Sequence, residues 1–146
     1  MTLYEILKAK GSTVFTIHPQ ATLDEVANEL VRRNVGCLVV CDRDLEGGER
    51  IVGVVSERDI LRFVASSKEP LSARAVSSIM TTGVITGSPQ DSVEATMGLM
   101  TTHRIRHLPV LSEGRLVGIV SIGDIVKFQH DRLALENQFM KDYLTG

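Results

Sequence analysis

Residues 118–127 read GIVSIGDIVK, and residues 53–62 read GVVSERDILR. The two decapeptides share Gly, Val, Ser, Asp and Ile at matching places, and Arg62 is matched by Lys127. Each has the pattern of a short apolar strand running through a serine into a helix whose first turn carries an acid. Serine followed three residues later by a carboxylate is a capping box: hydroxyl and carboxylate satisfy backbone N–H groups that a helix start leaves without partners. Capping alone accounts for Ser121 with Asp124 and for Ser56 with Asp59. It does not account for the return of the whole frame, glycine included.

The repetition extends upstream. Residues 14–40 align with 84–110 at a constant offset of 70 and share T-x-x-P-Q. The offset falls to 65 at the second block because CDRDLEGGERIVG in the first copy faces the shorter LSEGRLVG in the second. A length change confined to a Gly-containing turn is tolerated in a hairpin, since the strands it joins are undisturbed. A repeat at this spacing makes two copies of one supersecondary unit the basic reading of the chain.

Each copy reads as strand, helix, strand, turn, strand, helix. In the first, Thr22 and Glu25 form a capping box, and Leu23, Val26, Ala27, Leu30 and Val31 fall on one helix face. Asn34 suits a left-handed helix stop. VGCLVV and RIVGVV flank the turn as a hairpin, and Ser56 opens a second helix with Ile60, Leu61 and Val64 expected inward. In the second, Ser92 is the cap, Val93, Met97 and Met100 point inward, IRHLPV and RLVGIV are the strands, and Ser121 opens the last helix. Pro109 has no N–H for a ladder, so its strand is an edge there or faces something other than a neighbour. TLYEILKAKG at the start is a short helix ending at Gly11. The residues after 128 extend the last helix, and Leu133, Leu135, Phe139, Met140 and Tyr143 are apolar enough to predict packing against the body or a second subunit.

Composition narrows the function classes. The chain has 146 residues, 43% hydrophobic, with a formal charge of -2, and its mean hydropathy is slightly positive. These values describe an ordinary globular protein with a real core. No basic excess, no Trp and 4% aromatic residues argue against nucleic-acid readout. No apolar run is long enough for a signal peptide or a membrane span, so a cytoplasmic location is expected. Cys37 and Cys41 lie on one extended run about 13 Å apart, too far for a disulfide, and read as buried small hydrophobes with no metal required.

The paired G-h-h-S-x-x-D-h blocks, each preceded by T-x-x-P, an amphipathic helix and a hairpin, resemble a tandem pair of CBS domains, over roughly residues 1 to 128. The implied fold is α/β: two pseudo-symmetric β-α-β-β-α units packed as a CBS pair, with a C-terminal helical extension. The divisions are 1–66 for the first motif, 67–80 for a linker, 81–128 for the second motif and 129–146 for the extension. The resemblance implies two clefts for adenosine compounds (AMP, ADP or ATP, with NAD(H) or S-adenosylmethionine as further candidates), and pairs that dimerise into a flat disk.

By the same resemblance, Asp59 and Asp124 accept hydrogen bonds from ribose hydroxyls, and Ser56 and Ser121 lie near phosphate. A carboxylate suits a vicinal diol, and a helix start suits an anion. Residues from Thr13 through Thr16 to Ile17, and from Thr82 through Val84 to Ile85, match the adenine-contacting segment. Pro109 supplies a further wall.

Phosphate also needs cations. Arg106 and His107 lie on a strand beyond the helix end, Arg58 sits inside the first motif where the second has Gly123, and Cys37 stands where the second copy has His107. His103, Arg104, Arg32 and Arg33 fall near helix C-termini, where cations are favoured without any ligand. Convergence of Arg58, Arg106 and His107 on one cleft would favour a ligand.

Catalysis fits poorly. Strand–Ser121–helix departs from the G-x-S-x-G elbow because Ile119 replaces the first glycine. No Walker loop or G-x-G-x-x-G is present. The expected function is a non-enzymatic regulatory module that senses energy or redox state through an adenine nucleotide and acts on an unidentified protein. The alternative is a structural dimerisation unit whose capping boxes are only caps.

Overall fold

A computed structural model describes residues 1–43 and 47–145 of the chain. The middle of the longer turn expected in the first copy, residues 44–46, therefore lies outside the described residues. Among the described residues, five α-helices and five strands follow the order expected for the repeat, except that the second copy lacks its first strand: α1 (Leu3–Lys10), β1 (Thr16–Ile17), α2 (Leu23–Arg33), β2 (Cys37–Arg43), β3 (Glu49–Ser56), α3 (Glu57–Ser66), α4 (Val93–His103), β4 (His107–Ser112), β5 (Arg115–Ser121) and α5 (Ile122–Thr145). No helix among the described residues is long and apolar enough to cross a membrane.

The chain forms two compact units that do not follow chain order. Residues 14–85 make one, and residues 1–13 with 86–146 make the other.

In the unit of residues 14–85, β1 pairs in parallel with β2, and β2 is antiparallel to β3. Its core gathers Leu23, Val26 and Leu30 of α2, Leu38 and Val40 of β2, Val55 of β3, Phe63 of α3 and Val76. The expected caps are present: Glu25 accepts the Thr22 N–H at 3.1 Å, and Asn34 stops α2 in the left-handed region at φ 53°. The inner faces are narrower than predicted. Phe63 is buried, Ile60 is half-buried, but Leu61 is 69% exposed, and Val31 and Val64 are also exposed. On α3, Ser56, Ile60 and Phe63 share a face at the i, i+3, i+4, i+7 spacing, which turns Leu61 to the far side of the helix. The linker contributes two short 3₁₀ turns, Leu71–Ala73 and Val76–Ser78. It is tied to the start of α2 by Leu23 N to Arg74 O (3.0 Å) and Val76 N to Ala21 O (2.8 Å).

The other unit repeats this plan with α1 in the linker's place. Leu3, Ile6 and Leu7 are buried, and α1 packs on β5 and α5. Val93 N donates to Met1 O (3.0 Å) and Leu3 N to Asp91 O (3.0 Å), tying the chain start to the start of α4. Ser92 caps α4 by accepting the Ala95 N–H at 3.0 Å. Val93 and Met100 are buried and Met97 half-buried, joined by the buried Thr96.

The sheet here has two strands, β4 and β5. The first strand expected in this copy is reduced to a single parallel bridge between Gly87 and Val110. In the first copy, Val39 donates its N–H to Phe15 O at 3.3 Å. At the offset of 70, the position of Val39 is Pro109, which has no N–H to give. Pro109 instead uses its carbonyl, accepting Gly87 N at 2.9 Å.

The recurrent glycine has a packing cause in both units. A Cβ on Gly53 would lie 2.6 Å from Met80 Sδ and 2.9 Å from Thr81 O. A Cβ on Gly118 would lie 2.5 Å from Leu7 Cδ2. Each glycine lets a segment from outside the hairpin, the end of the linker in one unit and α1 in the other, lie directly on the backbone of the last strand.

The last helix extends as expected, and Ile125 near its start is buried, but the apolar side chains of the extension do not pack against the body. Leu133, Leu135, Phe139, Met140, Tyr143 and Leu144 are all exposed.

Candidate functional site

The two motif blocks form nearly identical structures. In the first, Ser56 N donates to Asp59 Oδ2 at 2.8 Å, and Asp59 N donates back to Ser56 Oγ at 3.3 Å. In the second, Ser121 N donates to Asp124 Oδ2 at 2.8 Å, and Asp124 N to Ser121 Oγ at 3.0 Å. Both are complete capping boxes, so the bland reading of the motif is correct as far as it goes. It accounts for only one carboxylate oxygen. Capping occupies Oδ2 in each case, and Oδ1 accepts nothing from the described residues. Each box therefore presents a half-buried carboxylate with an open acceptor edge at a helix start.

The sheets bring further candidates to these boxes. His107 is the cross-strand partner of Ser121, and Cys37 is the partner of Ser56. Directly opposed residues project on the same face of a sheet, so position 107 and position 37 each flank a cap serine. Arg106 is fixed one residue earlier, where its carbonyl accepts the Ile122 N–H at 3.0 Å; Gly36 does the same for Glu57 at 3.0 Å. Pro109 lies buried on the same strand. Ser121, Asp124, Arg106, His107 and Pro109 thus stand together in one unit.

Arg58 is exposed on the first turn of α3, in the unit that holds Ser56, Asp59, Cys37, Thr16 and Ile17. Thr82, Val84 and Ile85 also fall in that unit. They follow Thr81, which exchanges backbone hydrogen bonds with Val54 at 2.9 and 3.0 Å. Thr13 closes the segment that runs on from α1 and is exposed. Three of the four cations at helix ends have structural roles that involve no ligand. Arg32 and Arg33 pair with Glu29 at 2.7 and 3.4 Å, Arg33 lies 4.7 Å from the Phe15 ring centroid, and Arg104 is the left-handed stop of α4.

One participant escaped the sequence reading. Lys10, the last residue of α1, donates from Nζ to Asp124 Oδ2 and to Ile119 O, each at 2.6 Å. It lies 114 positions from Asp124, and a lysine in the last turn of a helix is unremarkable. No local signal marks it.

Electrostatics follow the geometry. Burial pushes the Asp124 carboxyl up, but the hydrogen bonds from Lys10 and from the Ser121 backbone, with the Lys10 charge and the Ser121 hydroxyl, outweigh it and hold the group below its ordinary value. Cys37 is pushed up to about 12, first by burial and then by the charge of Asp59. Cys41 is pushed up to about 11 by burial and Glu49. Both thiols are free and buried. Among the described residues, no group of three or more His, Cys, Asp or Glu side chains is placed to hold a metal ion.

The sequence matches the CBS domain family twice, over residues 11–66 and 76–131. The chain belongs to the CBS domain family. The mitochondrial CBS domain-containing protein CBSX3 of Arabidopsis thaliana is 33% identical to it over 153 residues, covering 99% of this chain and 72% of the relative. The structure is similar to that of the CBS domain protein PAE2072 from Pyrobaculum aerophilum complexed with AMP (TM-score 0.73, 35% identity, 85% of this chain and 89% of the other). It is also similar to the CBS domain pair of protein MJ0100 in complex with 5′-methylthioadenosine and S-adenosyl-L-methionine (TM-score 0.76, 26% identity, 90% and 98% covered).

Proposed function

We propose that this CBS pair is a regulatory module that binds an adenosine-containing ligand, with Asp59 and Asp124 as acceptors for ribose hydroxyls. The observation that carries this reading is the division of labour within each carboxylate. One oxygen caps the helix, and the other remains an acceptor at a half-buried helix start, where backbone N–H groups and the positive end of the helix favour an anionic ligand. Support comes from the similar structures, one holding AMP and the other 5′-methylthioadenosine and S-adenosylmethionine. AMP, ADP, ATP, NAD(H) and S-adenosylmethionine are the ligands to compare, and the readout is a change in contacts with a regulated protein in the cytoplasm.

Calorimetric titration of purified protein with these five ligands tests the reading. Binding to the native state alone adds about 2.7 kcal/mol of stability at a hundredfold excess over Kd, so thermal shift reports it independently. Asp59→Asn and Asp124→Asn retain an oxygen for the cap but lose the charge. The variant at an occupied site is expected to bind about 10- to 100-fold more weakly, as for a lost charge-assisted hydrogen bond. Failure of all five ligands to bind would remove this function.

A second reading rests on its own observation: the pair is a dimerisation module, and a second copy is its occupant. Leu61 and Val126 hold equivalent positions in α3 and α5, and both are exposed, at 69% and 54%. Val126, Leu133 and Met140 continue that exposure along α5 at intervals of seven residues. Beyond residue 126 the helix carries Lys127, Arg132 and Lys141 against Asp131, Glu136 and Asp142, so an identical helix meets no net repulsion. Sedimentation of the wild type against Leu133→Glu/Met140→Glu tests it. A dimer that the double variant dissolves is expected, and a monomeric wild type excludes it. Ligand binding and dimerisation are compatible, and the two experiments score them separately.

A further inference from the structure

We propose that Lys10 determines ligand class at the Asp124 box, making that box selective for adenosine compounds that carry a phosphate over the uncharged nucleoside. The inference rests on the ribose-binding role proposed for Asp124. Its basis is a difference between the two boxes that the repeated sequence hides. At Asp59, the second donor to Oδ2 is the Ser56 hydroxyl, at 3.1 Å. A hydroxyl is neutral and free to rotate toward another acceptor. At Asp124, the second donor to Oδ2 is the Lys10 ammonium at 2.6 Å, anchored also on Ile119 O.

Two consequences follow for a ligand. A diol arriving at Asp124 meets a carboxylate whose charge is already matched by an ammonium, so its charge-assisted hydrogen bonds are weaker than those offered by an unpaired carboxylate. An ammonium on a flexible four-carbon stem can also turn from the carboxylate to a nearby anion. The side chains are partly accessible, 32% for Lys10 and 24% for Asp124, so an entering ligand can reach the pair. A 5′-phosphate supplies the anion that draws Lys10 away and restores the carboxylate to the ribose. A nucleoside without phosphate supplies nothing in exchange. Lys10 thus penalises the uncharged ligand and favours the phosphorylated one.

The test uses the full chain carrying Asp59→Asn, so that titration reports the Asp124 box, with adenosine and AMP as probes. AMP is expected to bind at least about tenfold more tightly than adenosine. Adding Lys10→Met is expected to shrink that ratio about fivefold or more, with adenosine tightening and AMP weakening, whereas Lys10→Arg preserves it. A ratio unchanged by Lys10→Met, or equal weakening of both ligands, overturns the inference while the binding function stands. If the wild type binds and the Asp59→Asn protein binds neither probe, the Asp124 box is not a site, and the inference fails alone. If the wild type binds no adenosine ligand, the proposed function falls as well. Lys10→Gln, scored by the same ratio, replaces Lys10→Met if that variant does not fold.

Discussion

The Ser56–Asp59 and Ser121–Asp124 boxes share a geometry to within a few tenths of an ångström and differ in what surrounds it. The first has a buried thiol, Cys37, across the sheet and an arginine inside the motif. The second has His107 across the sheet, Arg106 beside it and a lysine delivered by α1. A repeated motif fixes the backbone frame, because caps and a close-packed glycine are requirements of folding. The neighbours are free to diverge, and it is the neighbours that set charge. Two boxes of one backbone design thus differ in the charge around them, and on the proposed function that difference would tune them toward different ligands or affinities.

The largest effect that would break this comparison is chemical. With Cys37 pushed up to about 12 and Cys41 to about 11, their thiolate fractions at pH 8 are about 10⁻⁴ and 10⁻³, against about a tenth for an ordinary thiol of pKa 9. Iodoacetamide labelling of the native protein at pH 8 should be slower than in urea by at least about a hundredfold, with Cys37 slower than Cys41. Fast labelling of Cys37 would mean that the first box is neither as dry nor as anionic as described.

The glycines come next. Gly53→Ala forces a Cβ to within 2.9 Å of a backbone oxygen, whereas the nearest atoms to a Cβ on Gly118 belong to the Leu7 side chain. Both overpack, at a cost of about 1–3 kcal/mol, with Gly53→Ala at the upper end and Gly118→Ala at the lower, as read by urea denaturation. The opposite order would show that α1 is the stiffer neighbour.

A smaller difference separates the acids. Asp59→Ala removes a cap worth about 1 kcal/mol. Asp124→Ala removes a cap and, in addition, a partly exposed ion pair worth about 0.5 kcal/mol. The excess should vanish in a Lys10→Met background.

The pH dependence is the most modest effect. Because the folded-state value of Asp124 is lowered, its contribution is present above the ordinary carboxylate value of 3.8 and is lost as pH falls through the lower folded value. Wild type and Asp124→Asn should therefore converge in stability on acidification. Divergence would mean that Lys10 does not hold the carboxylate.

The caps, the left-handed stop at Asn34, the hairpins and the helical extension were legible in the sequence because each rests on contacts within a few residues. The missing first strand of the second copy was half legible. Pro109 announced a lost donor, but the alignment with Val39 and its bond to Phe15 was needed to say which ladder rung disappears. The outward turn of Leu61 was not legible, since apolarity marks two faces of α3 and only the packing of Phe63 chooses between them. Lys10 could not be found at all. Its pairing with Asp124 depends on α1 returning to the far end of the chain, a tertiary fact with no local trace.

The split duty of the two carboxylates has a thermodynamic consequence. A side chain that must be immobilised when its ligand arrives loses rotamer freedom at that moment, and the loss is subtracted from affinity. On the proposed ribose role, Asp59 and Asp124 surrender that freedom during folding, when Oδ2 takes the serine N–H, so Oδ1 would already be aimed before a ligand arrives. The helix cap is in this sense a preorganising clamp. On the proposed ribose role, loosening the carboxylate from its cap should erode affinity chiefly through the entropy of binding.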